Sequence, residues 1–148
     1  MEVKSLFDAT VKQEIIDRLN KLTPQSHRQW GKMDVAQMLA HCQMPLGVAT
    51  GKHKLKGSGF LKLIGPLFKG LLFNNKPFKK NLGTDKSFIM TTPKEFEKEK
   101  SGLIQMINDF SISSMTNEPH PIFGKLTKEE WSKGTWKHLD HHLMQFGV

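Results

Sequence analysis

Apolar residues recur at Phe7, Val11, Ile15, Leu19 and Leu22, in steps of four, four, four and three, which is the period of one face of an α-helix. Such a stripe is stable only when buried against another element, so the chain is committed to packing helices in layers around a core. Ser5 with Asp8 three residues on is expected to form a capping box that opens this helix, and Pro24 is expected to end it near Thr23 by disfavouring helical geometry in the residue before it.

Three further segments carry the same period. The second opens after Asp34, with Gln37 at its third position, and brings Val35, Met38, Leu39, His41 and Cys42 onto one helix; Pro45 is expected to kink or stop it. The third is expected to start at Thr92 as cap, with Pro93 at the first helical position and Glu95 at the third, and to show Phe96, Leu103, Ile107 and Phe110 on one face. The fourth opens on Thr127 and Glu130 as a capping box and runs through Trp131, Leu139, Leu143 and Phe146. Between the second and third, glycines and prolines break any period, and the apolar run from Phe60 to Phe73 predicts one or two short helices interrupted at Gly65-Pro66. Four antiparallel apolar stripes close into an all-α four-helix bundle, with a long basic, partly helical connection between helices two and three and one domain spanning 1–148.

Composition narrows the function classes. The single cysteine, Cys42, rules out an internal disulfide and leaves any metal site to histidines and carboxylates. The N-terminal residues lack a signal-peptide apolar region and no stretch is long and apolar enough to span a bilayer, so the expected location is cytoplasmic. The net charge of +8 comes from one stretch, Val35 to Thr84, which holds eight lysines and neither arginine nor acid. A nucleic-acid partner is not expected, because the patch has no arginine to read base edges and no recognition-helix motif accompanies it.

Three of the seven histidines, His138, His141 and His142, fall within five positions. At 100° and 1.5 Å per residue, His138 and His142 lie roughly 40° apart around the helix and about 6 Å apart along it, so both can reach one ion. They share a stripe with Trp131, Thr135 and Gln145, whereas His141 shares a face with Lys133 and Lys137 and is expected at solvent or an edge. A catalytic zinc-like ion takes three protein ligands, and mid-helix His41 is the best third candidate; His27, His53 and His120 fall in predicted loops. Two histidines at this spacing also occur on plain helix surfaces, and a mid-helix histidine is often a hydrogen-bonded core residue, so the residues alone leave the metal and structural readings side by side. Cys42 reads as a core thiol, since adjacent helical residues point about 100° apart and it cannot share the direction of His41.

The segment HPIFGKLTKEEWSKGTWKHLDHHLMQFG, from His120 to Gly147, together with WGKMDVAQMLAHC, from Trp30 to Cys42, resembles the DinB-like (DinB/YfiT-like) family, in a branch of unassigned function. The resemblance implies a four-helix bundle in which His41 of the second helix and His138 and His142 of the last hold one divalent metal ion, zinc or nickel first. It also implies a metal-dependent S-transferase acting with a low-molecular-weight thiol, or a hydrolase, on a small-molecule substrate, with a homodimer as one assembly. A non-catalytic metal-binding or stress-related protein on the same scaffold is the alternative. The basic connection from Lys52 to Lys80 is expected to cover the site.

Overall fold

The computed structural model describes residues 1–55 and 65–148, and among these the protein is all-helical. Four α-helices follow in order: α1 (Ala9–Asn20), α2 (Val35–Ala49), α3 (Phe96–Asp109) and α4 (Lys128–Gln145). Short 3-10 segments at Gly65–Leu72, Lys86–Phe88 and Ile112–Ser114 lie between them. The expected second apolar piece, Phe60 to Ile64, lies outside the described residues; Gly65–Leu72 begins across the Gly65-Pro66 break.

The helix starts obey local chemistry, in two cases at a different residue from the expected one. Both α2 and α4 open with full capping boxes, Asp34 with Gln37 and Thr127 with Glu130, so each satisfies two otherwise orphaned backbone N–H groups. At α1 the cap is Asp8, whose carboxylate accepts from the Thr10 and Val11 amides, while Ser5 hydrogen-bonds instead with Glu129 and Ser132 of α4. That helix ends at Asn20, ahead of Thr23-Pro24, because the Lys21 and Leu22 amides already close the last turn onto Arg18 and Leu19. In α3 the expected Thr92-Pro93 start is not used: the cap is Glu95, extended and without a side-chain hydrogen bond. Thr92 is engaged elsewhere, its carbonyl accepting from Gln37 of the α2 capping box at 3.3 Å.

Packing follows the stripes. α2 lies against α3 and α4, and α1 lies against the same two helices. Ile15 and Leu19 of α1, Met38, Leu39 and Leu46 of α2, Leu103 and Ile107 of α3, and Leu139 and Leu143 of α4 are all essentially inaccessible and belong to one core cluster. Each fully buried side chain of this size contributes about 1.5–3 kcal/mol of transfer free energy. α2 is buried nearly all round, so Pro45 neither stops it nor exposes it: the helix runs on to Ala49, where the Thr50 hydroxyl donates to the Leu46 carbonyl at 3.0 Å. Arg18 crosses from α1 to α4, donating to Asp140 Oδ1 at 2.7 Å and to the Val148 main-chain oxygen at 2.9 Å, which fixes how α4 is rotated in its groove.

One face of α4 departs from the expectation. Lys137 is buried, not on a solvated face, and its Nζ donates to the Leu71 carbonyl at 2.7 Å, the Asn74 carbonyl at 2.8 Å and Asn74 Oδ1 at 3.0 Å. The connection between α2 and α3 thus lies along α4, held by an ammonium whose three donors are all used. His141, one turn along, is buried for the same reason, with Phe78 of the connection and Trp30 against its ring at 5.8 and 5.7 Å. Lysine and histidine at surface spacing mark a polar face only if no other chain segment covers it.

Candidate metal centre

His41 sits in the middle of α2, and His138 and His142 one turn apart on α4, so the α2/α4 contact is what brings the three together. Their ring centroids form a near-equilateral triangle, 4.9 Å for His41 to His138 and 4.6 Å for each of the other two pairs. One ring nitrogen from each lies within 4.8 Å of the other two; among the described residues this group holds three imidazoles and no carboxylate.

Hydrogen bonds set the tautomers of two of the rings. His41 Nδ1 is 2.8 Å from the Phe88 carbonyl oxygen, which can only accept, so Nδ1 carries the proton and Nε2 presents a lone pair. In α4, Gln145 donates through Nε2 to the Trp30 carbonyl at 2.7 Å, and this orients its Oε1 toward His142 Nδ1 at 2.8 Å. His142 Nδ1 therefore donates as well, and its Nε2 is left as an acceptor. His138 Nε2 lies 3.1 Å from His41 Nε2, while His138 Nδ1 is buried without a partner. Because His41 Nε2 can only accept, His138 Nε2 carries the proton between the two nitrogens, and the buried Nδ1 of His138 stays unsatisfied.

Burial keeps all three rings neutral at physiological pH. Desolvation pulls His41 below the usual histidine range, opposed by its bond to the Phe88 carbonyl. The same cause takes His142 to about 3, helped by charge repulsion from His41 and opposed by Gln145. His138 is held well below the ordinary value by desolvation, then by repulsion from His142, His41 and His141. Neutral imidazoles with converging lone pairs are the protonation state in which histidine ligates a metal.

The remaining sequence candidates take other places. Trp131 is not beside the cluster: it packs on His120, ring to ring at 4.9 Å, two turns back along α4. Asp140 turns to Arg18 and away from the imidazoles. The Cys42 thiol is buried at 2% exposure, donates to Met38 Sδ at 3.6 Å, and is pushed well above its ordinary pKa by desolvation, so it is a core thiol. Phe88 escaped the sequence reading because its contribution is a backbone carbonyl, which no residue type announces.

A family model spans nearly the whole chain, residues 2–147, and its description is Protein of unknown function (DUF1569). The chain belongs to that family. No curated protein and no solved structure matches this DUF1569 member. The family description carries no activity, so for this DUF1569 chain the chemistry has to be argued from the three histidines and their surroundings.

Proposed function

We propose that this protein is a DinB-like four-helix-bundle metalloprotein, a single cytoplasmic domain that binds one divalent ion through His41, His138 and His142. The observation that carries the reading is the oriented imidazole set: His41 and His142 each donate through Nδ1 to a fixed acceptor and turn Nε2 inward. Metal-ligating histidines carry such an outer hydrogen bond, because it fixes the tautomer and raises the basicity of the ligating nitrogen. The donor set also fits the group by its chemistry, since three neutral nitrogens suit zinc or nickel, and an ion would take the place of the proton that now lies between His41 Nε2 and His138 Nε2.

Three protein ligands leave further coordination positions, the arrangement of a catalytic site. A divalent ion held there lowers the pKa of a coordinated thiol or water enough to generate a nucleophile at neutral pH. The chain's own residues would orient the ligands through Phe88 and Gln145 and exclude water through the apolar core around α2. This supports a metal-dependent S-transferase using a low-molecular-weight thiol, or a hydrolase. A non-catalytic metal-binding role on the same scaffold is favoured by one feature: the group contains no carboxylate among the described residues, and Asp140 is committed to Arg18.

Protein purified without a histidine tag and dialysed should retain about one equivalent of zinc or nickel by elemental mass spectrometry, as a structural or catalytic three-histidine site does. A thiol-transfer screen of that material separates the two roles. Absence of bound metal, with no uptake from added zinc or nickel, would remove both.

A further inference from the structure

Next to the three histidines but facing another way, α4 borders a second feature. A cavity of about 630 Å³ has Trp30, Phe78, Lys80, His141, Met144 and Val148 among its walls, a size in the range of small-molecule sites. His141 is the unusual member. Its side chain is 8% exposed, its Nδ1 is buried without a partner, and neither ring nitrogen has a hydrogen bond among the described residues. Nδ1 is closed off from solvent, so Nε2, which is not among the buried atoms and has no hydrogen bond among the described residues, is the ring nitrogen open to the cavity.

The walls say what would complete it. Trp30 and Phe78 flank the His141 ring at 5.7 and 5.8 Å and offer flat apolar faces. Lys80 holds its Nζ 4.6 Å over the Trp30 ring and has no acidic partner among the described residues. The neighbouring acid, Asp140, is already paired with Arg18, and the donors of Lys137 are taken by oxygens of Leu71 and Asn74. One unmatched cation, one unmatched imidazole and two aromatic faces therefore meet in one cavity.

We propose that this cavity binds a small aromatic carboxylate, its ring against Trp30 and Phe78 and its carboxylate taken by Lys80 Nζ and the His141 Nε2–H. A carboxylate accepts from both donors at once, and an aromatic body buries against rings that a simple inorganic anion would leave bare. His141 stands between this cavity and His142, the two rings 5.2 Å apart, and none of the three clustered histidines lines the cavity, so binding here needs no metal.

The test is calorimetric titration of the full chain, with and without prior chelation, using indole-3-acetate, indole-3-ethanol and tryptamine as probes. Indole-3-acetate should saturate one site in both preparations and bind about tenfold more tightly than tryptamine. Lys80→Ala changes an exposed side chain and should weaken indole-3-acetate about fivefold, the size of an exposed ion pair, and Trp30→Ala should weaken all three probes. His141→Gln should weaken indole-3-acetate more than indole-3-ethanol; if that variant does not fold by circular dichroism, Lys80→Ala and the tryptamine comparison decide. Equal affinity for the acetate and the amine, unchanged affinity in Lys80→Ala, or no saturation at millimolar probe would overturn the proposal. So would binding that disappears on chelation, which would put the carboxylate on the metal instead.

Discussion

Two buried histidine environments sit two turns apart along α4, and they show what burial alone does not accomplish. At one, His120 packs between Phe123 and Trp131 at 4.7 and 4.9 Å, and its Nδ1 accepts from the Ile122 and Phe123 amides at 3.0 and 3.1 Å. Desolvation lowers it to about 4, yet its hydrogen bonds are local: it closes the turn bounded by the His120–Gly124 bridge. At the other, three neutral rings meet, two of them, His41 and His142, with the outer nitrogen fixed by an acceptor, and the inner nitrogens of His41 and His138 lie 3.1 Å apart. A low histidine pKa marks both places. Only the convergence of unshared lone pairs separates a candidate centre from a structural histidine.

The largest expected effect breaks the comparison on the cluster side. His138→Ala or His142→Ala should reduce bound metal from about one equivalent to background, since two imidazoles do not make a tight site; His120→Ala should leave the equivalent intact. Loss in all three variants, measured by elemental analysis on folded protein, would show that the cluster is not the centre. Next in size is the outer hydrogen bond: Gln145→Ala should weaken metal affinity by about 10- to 100-fold in a competition titration, as removal of such partners does. Unaltered affinity would mean that the His142 tautomer is set by something else.

On the structural side, His120→Ala removes the acceptor of two backbone amides and should destabilise the fold by about 1–3 kcal/mol in urea unfolding. His120→Asn, which keeps an acceptor, should recover part of that. The pH dependence sharpens the same point. His120 titrates at about 4 in the native state against 6.5 for the ordinary side chain, so between these values the unfolded chain binds more protons. Its contribution is therefore largest above pH 6.5 and declines as the pH falls toward 4, by about 2 kcal/mol at pH 5. Subtracting the His120→Asn curve from that of the wild type should isolate this decline; parallel curves would reject it. The smallest effect is expected at His141, which points away from the cluster: His141→Ala should leave metal content nearly unchanged.

The periodicity of Ile15, Leu19, Leu103, Ile107, Leu139 and Leu143 was readable without coordinates because a helix repeats every 3.6 residues and an apolar stripe must be covered. The capping boxes of α2 and α4 were readable for the same kind of reason, since their partners are three residues apart. So was the grouping of His138 with His142, a matter of one helix's geometry. The placement of His41 beside them needed two helices to be neighbours, and the resemblance on MLAHC and HLDHH supplied that. Beyond the reach of any spacing rule were the Phe88 carbonyl on His41, 47 residues away, and the Trp30 carbonyl that orients Gln145 from 115 residues away. The covering of Lys137 and His141 by the basic connection belongs with them. Local sequence dictates which atoms repeat along a helix, but which distant backbone or ring is laid over them depends on the path of the intervening chain, and that path is fixed only when the whole core has packed.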